Sequence, residues 1–386
     1  MSEEKDQLRH KLNKRQSLDS YRSLTLPDPS LIDFSSNDYL GLSRSQELKS
    51  EILAAYADMA MAKNGSTGSR LITGTSKLIL ETEQALARHF HSSSGLVFSS
   101  GYMANLAFFS SVPQKHDTLL YDELSHACIK DGARLGTVKK FPFKHNDLDQ
   151  LEQKLKRATG QIYIACEAVY SMDGDFAPLH DLAALAQHYQ ARLVVDEAHS
   201  TGVFGMNGNG LVNHLGLSDQ VFACIYTFGK AMGVHGAFLA GNETLREYLV
   251  NFSRPFIYTT APSDLEVLAM ATAVEKVRSS PLLAQKLSDH IQLFIALIEP
   301  EHKIIRSESA IQAVLIPGNE RVKNASQFLK QKGFDIRPIL SPTVKEGEER
   351  LRICLHAFNS ENEVKEMTLA LNAYLSDSLL AKRENF

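Results

Sequence analysis

An excess of charge of either sign is missing from these 386 residues, whose formal balance is -4. A chain built to lie along nucleic acid would carry a basic stripe, so that class of partner is excluded, and anionic small molecules must be met by a few placed cations. Cysteine pairs are missing too. Cys128, Cys166, Cys224 and Cys354 stand far apart with no C-x-x-C among them, which fits buried reduced thiols and neither a disulfide framework nor a zinc site. No run approaches the ~20 apolar residues of a membrane span. The charged start Met1-Ser2-Glu3-Glu4-Lys5-Asp6 lacks the apolar stretch of a secretory leader, so a cytoplasmic protein with no membrane partner is expected. Internal repeats and low-complexity tracts are absent as well.

What is present is an ordinary globular composition, 44% hydrophobic and 22% charged, in a chain longer than the ~250–300 residues at which single cores stop growing. Two or more lobes are expected. Residues 4–22 carry Leu8, Leu12 and Leu18 among charges, a weak amphipathic arm ending near Arg22. Pro27 and Pro29 break it, and 31–34 reads as a short strand entering a polar loop, whose Asn37 belongs either to a turn or to a substrate contact. A helix is expected over 77–90, a buried strand over 95–98 and a helix over 103–111. Between the last two, Ser100-Gly101-Tyr102 is either a plain glycine turn or a seat for phosphate on backbone amides.

Strands at 118–121, 162–166 and 192–195 alternate with helices, including one over 180–189, which predicts a mostly parallel sheet covered on both faces. Ligands of such sheets bind beyond the carboxyl ends of the strands, where Ser100, His126, Ser171 and Asp196 would lie. A helical stretch over 263–295 leaves this lobe. Strands near 311–316 and 351–355, with helices near 325–332 and 361–380, make a smaller α+β lobe.

Asp196-Glu197-Ala198-His199 spells the acidic box of certain helicases, but a nucleotide hydrolase also needs a phosphate-binding loop. Gly229-Lys230 is the one plausible anchor, and there Cys224 stands where the first glycine belongs and Ala231 where serine or threonine belongs. Gly202, Gly205, Gly208 and Gly210 miss the dinucleotide spacing because Asn213 occupies the final glycine position; they read as a mobile loop.

An aldehyde cofactor fits better. Lys230, between Gly229 and Gly233, supplies the amine for a Schiff base. Asp196 at a strand end would keep a pyridine nitrogen protonated, since a buried carboxylate favours the charged ring. His199, three residues on, reaches the ring's phenolic oxygen, and Thr227, three residues before Lys230, joins the amides of Gly101 and Tyr102 at a phosphate. Singly, Lys230 reads as a surface lysine and Asp196 as a helix cap; together they predict a pyridoxal-phosphate site. Arg350 and Arg352 point to one face of a strand. An arginine fork matches a carboxylate, a role given to Arg352, while Arg350 reads as a surface ion pair.

Six ordered stretches, FSSNDYLGL at 34–42, FSSGYMAN at 98–105, EAVYSMDGDFAPL at 167–179, VVDEAHSTG at 194–202, TFGKAMGVHG at 227–236 and the run over 337–355, resemble the α-oxoamine synthases. The resemblance implies an α/β fold of the aminotransferase type (pyridoxal-phosphate fold type I). Its large domain has a mostly parallel seven-stranded sheet, with a smaller α+β C-terminal domain. An arm and small-domain segment would occupy 1–48, the cofactor domain 49–275 and the small domain 276–386. It also implies a homodimer with shared active sites, and a condensation of L-alanine with pimeloyl-CoA or a pimeloyl carrier protein. Glycine with acetyl-CoA, or serine with a long-chain acyl thioester, are the sister chemistries; a cofactor-binding regulator without turnover is the alternative from another class.

Position by position, the resemblance makes Lys230 the lysine that joins the cofactor and His126 the histidine stacked on its ring. Ser171, His199 and Thr227 become cofactor contacts beside Gly101, Tyr102 and Asp196; Arg22, Thr343 and Arg352 match substrate positions, and Thr259 or Thr260 reaches the other subunit's phosphate. The chain departs from the family at Ile79, where histidine is common, at Asp196-Glu197-Ala198-His199-Ser200, where Asp-Asp-Ala-His-Gly is usual, and at Pro262, which stands where a proline pair is frequent.

Overall fold

Short runs of Val, Ile, Leu, Ala and aromatic residues become the seven strands of one sheet in the computed structural model, which describes residues 2–18 and 20–383. These strands are β1 (Ser94–Phe98), β2 (Thr118–Asp122), β3 (Lys139–Phe143), β4 (Ile162–Glu167), β5 (Arg192–Asp196), β6 (Ala223–Thr227) and β7 (Ala237–Gly241). Their order is β1-β7-β6-β5-β4-β2-β3. Only β7 runs antiparallel to its neighbours, so the sheet is mostly parallel, as expected. The runs show no alternation because both faces are covered: every residue of β1 and β6 is buried. The exception is β3, Lys-Lys-Phe-Pro-Phe, an edge strand largely open to solvent. Lysine and proline there block further pairing.

Register aligns the strand ends. Glu167 and Asp196, the last residues of β4 and β5, lie side by side, and Asp196 pairs with Ile225, two residues before the end of β6. The helix after β1 covers Gly101–Ser111, two residues earlier than its apolar pattern suggests, because Ser100 caps it: its Oγ accepts the amide of Met103 at 3.3 Å. The helical stretch over 263–295 is two helices, Asp264–Ser279 and Pro281–Leu297. Pro281 can open a helix but cannot continue one.

The chain divides into two units, one of Asp38–Ser171 and Phe176–Lys286, the other of Met1–Asn37, Met172–Asp175 and Leu287–Phe386. The larger holds the seven-stranded sheet. The smaller holds an antiparallel sheet in the order Arg337–Ile339, Arg350–Cys354, Ile311–Leu315, Ile304–Ile305, and a parallel pair of Ile32–Asp33 with Phe334–Asp335. The amino-terminal arm is a helix, Ser2–Ser17, on which Leu8 and Leu12 are exposed; Met1 and Asp19, which belong to the predicted start and arm, lie outside the described residues. All four cysteines are buried and unbridged. Among the described residues no helix is long and apolar enough to cross a membrane.

Candidate active site

The carboxyl edge of the central sheet collects side chains from segments far apart in sequence. At one end is the start of the helix Gly101–Ser111. The first N–H groups of a helix have no carbonyl one turn back to take them; Ser100 takes that of Met103, leaving Gly101 and Tyr102 as the donors offered to an anion. The Tyr102 side chain turns outward, its hydroxyl donating to Asp131 at 2.7 Å, so only its backbone belongs to the site. A methyl group on Gly101 would stand 2.5 Å from Cγ2 of Thr227. Glycine is therefore what lets the helix start approach the end of β6, and it puts the buried Thr227 beside the two amides.

Asp196 closes β5 and is buried. Its Oδ1 accepts the amide of Ala198 at 2.8 Å and its Oδ2 accepts Nδ2 of Asn105 at 2.7 Å. Asn105 also donates to the carbonyl of Gly101 at 3.0 Å, tying the acid to the helix start. Its own Oδ1 is buried without a hydrogen-bond partner. The neighbouring acid has another job: Glu197 accepts the amides of Leu211 and Val212 at 2.9 and 2.6 Å and the hydroxyl of Ser200. It holds the glycine-rich stretch, which is cross-linked by Gly202 to Gly208 and Gly210 to Phe204 backbone bonds. The two acids of the box thus have different partners, Asp196 at the sheet edge and Glu197 in the glycine-rich stretch. Next along, His199 is buried with Nδ1 2.7 Å from the hydroxyl of Tyr39.

Lys230 lies in a turn closed by the amide of Gly233 on its carbonyl at 2.9 Å, with Gly233 at φ 68°. Its ammonium bears on the same groups as Asp196. Glu167 is pushed up to about 8, first by burial and then by the charge of Asp196, with Lys230 and the amide of His126, donated at 2.6 Å, restraining it. His126 is pushed down by burial, Asp196 opposing and Lys230 adding to the shift. Cys128 rises, again through burial first, then Asp196 and Glu167, with Lys230 in opposition. His126 caps the helix Ala127–Leu135, its Nδ1 accepting the amide of Cys128 at 3.2 Å in a part-buried contact, while the rest of the residue stays open to solvent. Ser171 comes after β4 in the same unit, half-buried.

These residues fit pyridoxal phosphate: a glycine-made cradle of amides and hydroxyl for a phosphate, a buried acid for a ring nitrogen, and a lysine in the turn that follows the cradle's Thr227.

The smaller unit carries its own polar group. Arg352 is buried, donating from Nη2 to Asn37 Oδ1 at 2.9 Å and from Nη1 to Cys354 Sγ at 2.9 Å. Arg22 donates to Thr343 Oγ1 at 3.1 Å in the open. The four substrate positions named from sequence thus form two hydrogen-bonded pairs. Arg350 makes the expected ion pair, with Asp173, but in the interior rather than at the surface. Thr259 and Thr260 come after the short helix Arg254–Ile257, half-buried and exposed respectively, and Ile79 is buried in the helix Lys77–His89.

The sequence alone assigns no role to Tyr39, Asn105 and Glu167. Asn105, one helical turn after Gly101, is within reach of side-chain spacing; nothing local joins Tyr39 to His199, 160 residues away.

Residues 29–371 match the family model for class I and II aminotransferases. The 8-amino-7-oxononanoate synthase of Emericella nidulans is 35% identical, with 93% of each chain covered. Among solved structures, the 8-amino-7-oxononanoate synthase of Francisella tularensis is 28% identical, covers 91% of this chain and all of its own, and superposes with a TM-score of 0.78. A serine palmitoyltransferase variant from S. paucimobilis with a bound PLP–myriocin aldimine is 26% identical over 96% of each chain, with a TM-score of 0.85.

Proposed function

Since this chain belongs to the class I and II aminotransferase family, and within it to the α-oxoamine synthases, pyridoxal-phosphate-dependent acyltransferases, we propose that it condenses L-alanine with a pimeloyl thioester. The products are 8-amino-7-oxononanoate, carbon dioxide and the carrier thiol. What carries the reading is one linked set at the carboxyl edge of the sheet: Asp196 is bonded to Asn105, Asn105 to the carbonyl of Gly101, and Gly101 closely approaches Thr227, three residues before Lys230.

Pyridoxal phosphate, when bound, supplies an electron sink for negative charge at the α-carbon of the amino acid. Asp196 keeps a proton on the ring nitrogen, and its bonds to Asn105 and Ala198 fix its direction. The amides of Gly101 and Tyr102 and the hydroxyl of Thr227 hold the phosphate, with Ser171 and His199 as further contacts. His126 covers the ring face. Lys230, as an amine, removes the α-proton and returns a proton after carbon dioxide has left. Arg352, oriented by Asn37, grips the amino-acid carboxylate; Arg22 and Thr343 make further substrate contacts. The new bond joins the α-carbon to the thioester carbonyl, and the carbon–sulfur bond breaks. We assign the active form to a cytoplasmic homodimer with shared sites, and the acyl carrier to coenzyme A or a carrier protein.

The test is a spectral titration with alanine, glycine and serine, followed by thiol release with pimeloyl, acetyl and long-chain acyl donors. Alanine should perturb the cofactor absorbance at the lowest concentration, and pimeloyl-CoA should give the fastest release. Lys230→Ala should lose both the visible band and the release. A preference for glycine with acetyl-CoA, or serine with the long-chain donor, would move the chain to a sister activity.

A further inference from the structure

Tyr39 is completely buried, and its hydroxyl lies 2.7 Å from Nδ1 of His199. The loop that carries it is braced at both ends. Asp38 accepts the amide and hydroxyl of Ser43 at 3.1 and 2.6 Å and Nε of Arg44 at 3.2 Å, and its carbonyl accepts the amide of Gly41 at 2.9 Å. The same loop abuts the lysine turn: a methyl group on Gly233 would stand 2.3 Å from the amide nitrogen of Ser43. On the other side of His199, the carbonyl of Ala198 accepts the hydroxyl of Thr227 at 3.4 Å. Tyr39 therefore holds its place relative to His199, Thr227 and the turn of Lys230 together.

A neutral imidazole carries one proton, and the bond made by one ring nitrogen decides where it sits. A phenol keeps its proton through neutral pH and donates it. The geometry points to Tyr39 as a positioning residue: its hydroxyl donates to Nδ1 of His199 and holds the imidazole proton on Nε2, where a donor to the cofactor's phenolic oxygen is required. This rests on the pyridoxal-phosphate reading and adds to it the residue that sets the histidine's tautomer. The other titratable groups of the edge, His126, Glu167, Asp196, Glu197 and Lys230, are left intact by the variants that test it.

The experiment tracks the pH midpoint of the visible absorbance band in the holoenzyme. A donor to the phenolic oxygen stabilises its charged form, so losing it should raise the midpoint. Tyr39→Phe should raise it by on the order of one pH unit, the size of one charge-assisted hydrogen bond. His199→Phe should raise it at least as far, and the double variant no further than His199→Phe alone. Independently of any variant, histidine-selective nitrogen NMR of the wild-type holoenzyme should find Nδ1 of His199 bare and Nε2 protonated. An unmoved midpoint in Tyr39→Phe, a Tyr39→Phe shift that persists without His199, or a proton found on Nδ1 would each overturn the assignment. A wild-type protein with no Lys230-dependent band would instead overturn the parent reading, and this one with it.

Discussion

Replacing Gly101 by alanine tests the cradle directly. The added carbon would stand 2.5 Å from Cγ2 of Thr227, whereas non-bonded carbons settle at ~3.5–4.0 Å, so the helix start and the end of β6 must separate by roughly 1 Å. Overpacking of this kind costs about 1–3 kcal/mol, partly offset by the ~0.8–1.0 kcal/mol by which alanine is the better helix former. Stability should therefore fall by about 0–2 kcal/mol. Function should fall far more, because a misplacement of about 1 Å at a reacting site is worth ~10²-fold in rate. The decisive variant is the pair Gly101→Ala with Thr227→Ser, which keeps the hydroxyl and removes the methyl group in the way; the next contact, Thr227 Cβ at 3.4 Å, is ordinary. Urea denaturation, cofactor affinity and thiol release should all return toward the Thr227→Ser values. Wild-type turnover in Gly101→Ala, or no recovery in the double variant, would refute the close-approach argument.

Arg352→Ala should raise the alanine concentration needed for half-saturation by about 10- to 100-fold, the loss of one charged hydrogen-bonding partner, while cofactor affinity changes little; equal losses in both, measured by titration, would make the residue structural. Glu167 gives a pH signature in the cofactor-free protein. Its folded carboxyl is raised to about 8 from an ordinary 4.5, so its contribution to stability is full below the ordinary value and is lost as pH rises through that window. Urea midpoints measured from pH 5 to pH 8 should fall with pH, and Glu167→Gln should flatten that part of the slope.

Much of this arrangement is legible from local pattern, because the strands that matter are apolar runs closing on a single polar residue. Thr118–Asp122, Ile162–Glu167 and Arg192–Asp196 are of this kind, and their carboxyl ends locate the site without any knowledge of pairing. Three strands of the large sheet escape. Ala223–Thr227 is a five-residue, fully buried run with no alternation to mark it as a strand. Lys139–Phe143 is an exposed edge whose lysines and proline hide a strand, and Ala237–Gly241 is short and rich in small residues, inserted antiparallel after the lysine turn. Side-chain partnerships are less accessible. Asn105 with Asp196, Gly101 with Thr227 and Tyr39 with His199 join segments separated by 91 or more residues, and no periodicity encodes which loop will face which. Glu197 shows the converse: its local motif suggests nucleotide chemistry, while its bonds to Leu211 and Val212 make it a brace.

Met172–Asp175 interrupts the chain of the larger unit yet belongs to the smaller one. There Asp173 meets Arg350, Ser307 donates to the carbonyl of Gly174 at 2.8 Å, and Gly174, at φ 77°, leaves no room for a side chain beside Ile311. A polypeptide shortened at Lys286 would lose Arg350 and, with it, most of the unit to which Asp173 belongs. On the ribosome, likewise, the segment between β4 and β5 waits for a guanidinium synthesised some way downstream.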